Sequence, residues 1–322
     1  GRRGALMLSV SIKHPDAEQF IDAKMDGTKV TGANVSVRID HDFMKAVKAE
    51  ETYKQQYPIN SDSPKYTNDV NAKQLWDKII HNAWKSAEPG ILFWDTVTQE
   101  SIPDCYADLG FKTVSTNPCG EIPLCPYDSC RLLAVNLYSY VDEPFTPGAT
   151  FNYEKFNKHV GMAQRIMDDI VDLELEKVNK IIEKIEADPE GEEIKRVELN
   201  LWKKIKTKAI QGRRTGVGIT AEGDMLAALG LKYGTPEATD FSTEIHKKLA
   251  LAAYRSSVTL AKDRGAFPIY DTIREEKNPM INRIKDADPA LYEDMVKYGR
   301  RNIALLTIAP TGTTSLMTQT SS

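Results

Sequence analysis

The stretch TNPCGEIPLCPYDSCRLLAVNLYSYV, Thr116 to Val141, joins a turn-rich loop to an apolar run. Three of the chain's four cysteines, Cys119, Cys125 and Cys130, fall within twelve of its residues. Pro118 and Gly120 bracket Cys119, which places that thiol in a turn and not in the middle of a helix or strand. Asn117 stands two residues before it and Glu121 two after. In a tight loop, residues two apart can aim at a common ligand. An amide, a thiol and a carboxylate can then converge on one small polar molecule. The ordinary alternative is a small cysteine packed as a hydrophobe. That alternative suits Cys105 well, Cys125 moderately and Cys119 least. Between successive cysteines lie 13, 5 and 4 residues, with no CxxC pair, so a structural zinc site is not expected.

Working outward, RLLAVNLYSYV reads as a strand. Upstream, ALMLSVSI (Ala5 to Ile12), GANVSVRID (Gly32 to Asp40) and ILFWD read as strands too. Between them HPDAEQFIDAK, HDFMKAVKAEE and AKQLWDKIIHNAWKSAEPG (Ala72 to Gly90) have helical spacing, the last ending at Pro-Gly. Downstream, NIALLTIAP (Asn302 to Pro310) is a further apolar strand, followed by Thr-Gly-Thr-Thr-Ser. Strands alternating with helices predict an α/β fold with largely parallel strands. One segment departs from this pattern. From Val171 to Lys208 apolar residues recur at helical spacing, broken by ADPEGEE, which predicts a charged helical hairpin inserted at the surface.

Bulk properties narrow the class. The 322 residues are 41% hydrophobic and 27% charged, ordinary for a globular protein. The 42 Lys and Arg against 46 Asp and Glu give a net charge of −4, which argues against a general nucleic-acid binder. No apolar run approaches the roughly 18 residues of a membrane span. Four cysteines do not make a disulfide scaffold, and a reducing cytoplasm is expected. Both ends read as cut from a longer protein.

Two further stretches invite a ligand reading. In APTGTTS (Ala309 to Ser315), Gly312 admits close backbone approach, and Thr311, Thr313, Thr314 and Ser315 supply hydroxyls. A helix starting there would favour a phosphate, or the same residues would simply cap the helix. QGRRTGVGITAEGD (Gln211 to Asp224) carries GxG without the full dinucleotide fingerprint. Its Arg213 and Arg214 would either bind anions or face solvent.

Taken together, NPCGEIPL, CRLLAVNL and LLTIAPTGTTSL resemble the catalytic subunit of ribonucleotide reductase. GRRGALM, HPDAEQFI, RRTGVGITAEGDMLAALGLKYG and DRGAFP are similar to other stretches of that family and occur in its order. The match runs nearly end to end, apart from about 171–208. It implies part of a ten-stranded α/β barrel, two antiparallel halves each of parallel strands, with a finger loop carrying the active cysteine up the centre.

By this resemblance Cys119 matches the cysteine that becomes a thiyl radical and abstracts the ribose 3′ hydrogen. Glu121 matches the carboxylate that takes the 3′-hydroxyl proton, and Asn117 the amide that orients the ribose. Cys130, six residues before Asn136, matches one of the two thiols that reduce the ribose and end as a disulfide. Cys125 has no counterpart role. Thr311, Gly312, Thr313, Thr314 and Ser315 match the loop that holds the substrate phosphates. Arg2, Arg3, Gly4 and Ala5 match the end of the loop that reports on the specificity effector. No residue is expected to bind a metal directly.

The wording of GRRGALM and NPCGEIPL is more like the adenosylcobalamin-dependent type than the type driven by a separate metal-radical subunit. The implied partners are a ribonucleotide, a deoxynucleotide effector, an external dithiol reductant such as thioredoxin, and a second copy in a homodimer. Nucleic acid and membrane are not among them. The family's other redox cysteine falls before Gly1, and its C-terminal cysteine pair and later barrel strands fall after Ser322. The chain alone is therefore expected to be inactive. Two other readings are a different glycyl- or thiyl-radical barrel enzyme and a nucleotide-binding regulatory module without catalysis.

Overall fold

Apolar residues at every second position of GANVSVRID pull a strand against two helices, and the first half of the fold grows from that contact. The computed structural model describes residues 4–129 and 131–322. The chain divides into two units, 1–104 with 113–124, and 105–112 with 125–322.

The first unit contains, in chain order, β1 (Met7–Ser11), α1 (Ala17–Ile21), β2 (Asn34–Ile39), α2 (His41–Ala49), β3 (Thr52–Tyr57), β4 (Tyr66–Asn71), α3 (Ala72–Ser86), β5 (Gly90–Phe93), α4 (Trp94–Glu100), β6 (Ser115–Thr116) and β7 (Pro123–Leu124). Strands β1, β2 and β5 form a parallel sheet with β2 in the centre, Val37 lying opposite Val10 on one side and Ile91 on the other. Val37 and Ile39 pack with Phe43 and Val47 of α2 and Leu75 and Ile79 of α3. Each such buried side chain contributes about 1.5–3 kcal/mol. Asp40 ends β2 and starts α2, its carboxylate accepting from the Phe43 N–H at 2.8 Å and from the Tyr53 hydroxyl at 2.6 Å. Asn71 caps α3 in the same way through the Gln74 N–H. The expected ILFWD strand stops at Phe93, because Trp94 and Asp95 already belong to α4.

The second unit contains β8 (Leu133–Asn136), β9 (Val141–Asp142), β10 (Thr150–Phe151), α5 (Tyr153–Ala187), α6 (Glu192–Gly212), β11 (Val217–Thr220), α7 (Glu222–Ala228), α8 (Pro236–Arg264), α9 (Thr272–Glu275), α10 (Pro279–Ala287), α11 (Pro289–Tyr298) and α12 (Gly312–Thr318). Strands β8 and β11 are parallel, Leu133 opposite Val217. The 304–307 backbone joins the other edge of β11: the Val217 N–H donates to the Leu305 carbonyl at 2.8 Å, and the Thr307 N–H to the Val217 carbonyl at 3.1 Å. The strand expected over 302–310 thus pairs only in its middle. Asn302 is buried in a polar network at one end, and Pro310 has no N–H to pair at the other. RLLAVNLYSYV is likewise shorter as a strand than expected, β8 giving way to a 3-10 turn over Leu137–Tyr140.

Close strand packing explains the GxG of GRRTGVGIT. A Cβ at Gly216 would sit 2.4 Å from the Arg131 carbonyl oxygen, and one at Gly218 only 2.0 Å from that of Thr307. The glycines serve the β8, β11 and 304–307 backbones and not a phosphate. Arg213 and Arg214 depart from both of their expected roles, because each is buried on carboxylates. Arg213 donates to Asp168 and Asp172, both at 2.8 Å, and Arg214 to Asp128 at 2.6 Å.

The helical hairpin is present but wider than 171–208. It is the outer part of α5 and α6, which together run from Tyr153 to Gly212. Phe156, Val160, Met167 and Val171 bury the inner half of α5, so the hairpin grows out of a core helix. Farther out, Val178 and Ile185 are covered while Leu173, Ile194, Val197 and Leu201 are exposed.

Candidate active site

The site starts from a hairpin too short to hold itself. β6 and β7 pair over two residues each, Ser115 with Leu124 and Thr116 with Pro123. Between them Asn117, Pro118, Cys119 and Gly120 form a β-turn closed by the Gly120 N–H on the Asn117 carbonyl at 3.0 Å. Pro118 presets its φ for the second position of such a turn. Cys119 keeps a negative φ, and Gly120 takes the left-handed value of +87° that an L side chain resists. The Asn117 carboxamide oxygen accepts the Ile122 N–H at 3.0 Å, bracing the loop across its base.

This turn holds Cys119 exposed at its tip and Glu121 half-buried behind it. Both line one cavity of 470 Å³, with Ser36, Glu88 and Leu92 on its walls. Gly90 lies opposite Ser36 on β5, where a Cβ would come within 2.7 Å of the Ser36 hydroxyl. Asn117 does not line this cavity; its carboxamide oxygen is spent inside the loop, and the NH₂ end is what remains for a ligand. Glu88 accepts the Val35 N–H at 2.9 Å and pairs with Lys24.

The other cysteines behave differently. Cys125 is 4% exposed, and its thiol donates to Asp128, 3.7 Å away. Burial, then the charge of Asp128, pushes this thiol up to about 12. Cys125 is therefore a protonated core residue. Cys105 packs half-buried on the cluster of Tyr106, Phe111, Phe267 and Ile303. Cys130 lies outside the described residues, as do Arg2 and Arg3. Gly4 and Ala5 are exposed and belong to no element.

In the second unit, Thr311 has φ +54°, and α12 begins directly after it. Thr220, at the end of β11, donates to the Thr311 hydroxyl at 3.2 Å. Gly312, Thr313 and Thr314 are exposed, with nothing near a Cβ at Gly312. Ser315 is buried and turns its hydroxyl back to the Gly312 carbonyl at 2.9 Å. Its side chain braces the loop from within.

No group of His, Cys, Asp or Glu among the described residues is arranged to hold a metal ion. No helix among them is long and apolar enough to cross a membrane. The cavity at Cys119 has room for part of a nucleotide.

A family model described as "Ribonucleotide reductase, barrel domain" matches residues 1–322. The chain belongs to the ribonucleotide reductase family. Among curated relatives, a vitamin B12-dependent ribonucleoside-diphosphate reductase of Thermoplasma acidophilum is 30% identical over 322 residues, covering 100% of this chain and 35% of that protein. One of Mycobacterium tuberculosis is 27% identical, covering 99% and 38%. The chain thus spans little more than a third of the length of these relatives. Among solved structures, an Actinobacillus ureae class Id ribonucleotide reductase alpha subunit aligns with a TM-score of 0.65 and 20% identity, covering 99% of this chain and 48% of that one. That likeness supports the barrel fold expected from the sequence.

The signal for the turn was plain in the spacing of Asn117, Cys119 and Glu121. The cavity walls Ser36 and Glu88 were missed. Ser36 could have been found in GANVSVRID, where Asn34, Ser36 and Arg38 alternate with the apolar set and so share one face of β2.

Proposed function

We propose that the full-length protein reduces ribonucleotides to 2′-deoxyribonucleotides, with this chain forming part of its catalytic barrel. The observation that carries the reading is the single turn presenting an exposed Cys119 thiol and the Glu121 carboxylate to one cavity. Family membership supports it.

In this reading Cys119, as a thiyl radical, takes the ribose 3′ hydrogen, and Glu121 takes the proton of the 3′-hydroxyl. The neighbouring 2′-hydroxyl then leaves as water, taking its proton from one of the two reducing thiols, and Glu121 later returns its own proton to the 3′ oxygen. Two thiols, Cys130 and a cysteine outside this chain, supply two electrons and become a disulfide. Cys119 returns the hydrogen to C3′ and is a thiyl radical again. The net reaction consumes one dithiol per ribonucleotide and gives one water and one disulfide. An external dithiol such as thioredoxin resets the pair by exchange. Asn117 orients the ribose through its NH₂ group. The exposed N–H groups and hydroxyls of Thr313 and Thr314, with Thr311 and Gly312, receive the substrate phosphates. Ser315 keeps that loop in shape.

The names of the relatives support adenosylcobalamin as the radical source of the full-length protein. When bound, it supplies the oxidising equivalent that removes a hydrogen atom from Cys119. A deoxynucleotide effector, read in part by Arg2, Arg3, Gly4 and Ala5, and a homodimer complete the proposal. A cytoplasmic setting suits thiols that must be returned to the dithiol state.

The test is an anaerobic assay of the full-length protein with adenosylcobalamin, dithiothreitol, a ribonucleotide and a deoxynucleotide effector. Deoxynucleotide that depends on the coenzyme is expected. Product only after a metal-loaded partner subunit is added would keep the reductase and discard the cobalamin. No product under either condition would overturn the reading.

A further inference from the structure

The turn that carries Cys119 is held from outside by one face of β2. Val37 and Ile39 point to the helix side of that strand and are buried there, and Val35 is buried too. Asn34, Ser36 and Arg38 take the other face. The Asn34 carboxamide NH₂ donates to the Pro118 carbonyl at 2.8 Å. Four residues along, Arg38 Nη1 donates to the Val114 carbonyl at 3.3 Å, its guanidinium lying 4.8 Å over the Trp94 ring. The two acceptors are also four residues apart, in the opposite chain direction. The 114–118 limb therefore runs antiparallel to β2, tied to it at both ends by side chains, with Ser36 between those two residues and lining the cavity.

The Pro118 carbonyl belongs to the peptide bond that leads into Cys119, the central peptide of the turn. The two common turn types differ by a flip of that peptide. The flipped form puts the third residue at positive φ, which glycine tolerates and cysteine resists. The observed form, with Cys119 at negative φ, is the one whose central carbonyl meets Asn34. The Asn34 backbone is anchored, because it opens β2 opposite Met7 and its N–H donates to the Leu6 carbonyl at 2.8 Å.

We propose that Asn34, backed by Arg38, is a positioning residue that locks the Pro118–Cys119 peptide and so fixes the direction in which the Cys119 sulfur points. This deepens, and rests on, the assignment of Cys119 under the proposed function.

The test uses the full-length protein with Asn34→Asp, which keeps the shape but removes the donor, and Asn34→Ala. Arg38→Lys, which retains the charge, is the milder second variant. Hydrogen exchange is followed in peptides over 117–124, where the Gly120 and Ile122 amides report closure of the turn. Both Asn34 variants are expected to speed exchange there by ~10-fold, leaving the β2 core amides and the melting temperature unchanged. The kcat for deoxynucleotide is expected to fall ~10-fold or more with the nucleotide KM unchanged, because the sulfur is misdirected while the phosphates still bind. Unchanged exchange with unchanged kcat would overturn the strap, and so would a loss spread over the whole protein's exchange. Faster local exchange in a protein whose wild type makes no deoxynucleotide would uphold the strap and sink the reductase reading instead.

Discussion

Arg213 Nε donates to Asp168 Oδ1 at 2.8 Å with both side chains sealed from solvent. Burial by itself would raise the Asp168 carboxyl. The hydrogen bond and charge of Arg213, with the charge of Arg301 and a hydrogen bond from Asn302, more than reverse this and hold it below its ordinary value. A depressed carboxylate lends stability above its unfolded value of 3.8, and that contribution is lost as pH falls below it. Asp168→Asn removes the buried one of the two carboxylates that hold Arg213, leaving it only the half-exposed Asp172, and is expected to cost about 3 kcal/mol at neutral pH. Its melting temperature should also fall less steeply than that of the wild type below pH 4. Thermal denaturation across pH checks both.

Gly218 faces the Thr307 carbonyl so closely that no side-chain movement can make room. Gly218→Ala is expected to cost about 3 kcal/mol or more, beyond the usual range for overpacking, because the obstacle is backbone. Gly312→Ala meets nothing and should stay within about 1 kcal/mol. Denaturant unfolding of the two variants side by side tests whether GxG serves packing. Equal stability would contradict that account.

Cys125 keeps its proton through neutral and alkaline pH because burial and Asp128 disfavour the thiolate. Cys119 is exposed. In native protein at pH 8, iodoacetamide should label Cys119 and react with Cys125 at least ~10-fold more slowly. Peptide-resolved mass spectrometry reads the difference directly. Fast labelling of Cys125 would reopen it as a redox thiol.

Glu121→Gln keeps the size of the side chain and removes its ability to take a proton. In the full-length enzyme it should lower kcat about 10²-fold or more, with KM changed less than about threefold. Cys119→Ser should abolish product while nucleotide affinity stays within about twofold, since serine does not form an accessible radical. Steady-state kinetics and equilibrium binding decide each, and turnover by the serine variant would remove Cys119 from the mechanism.

The sequence by itself determined the parallel strands of the first unit, the capped helices between them, and the turn in which Cys119, Asn117 and Glu121 lie. All of these are local: a period of two or 3.6, a capping aspartate, a proline and a glycine around one cysteine. Tertiary structure decided what those residues face. Arg213 and Arg214 look like surface cations in GRRTGVGIT, yet partners 45 and 86 residues away draw them inside. Gly218 looks like a ligand glycine until the Thr307 backbone arrives across the sheet. Asn34 looks like an ordinary strand residue until Pro118, 84 residues on, brings it a carbonyl. Burial, close approach and hydrogen bonding depend on which distant segments meet, and no short window of sequence contains that information.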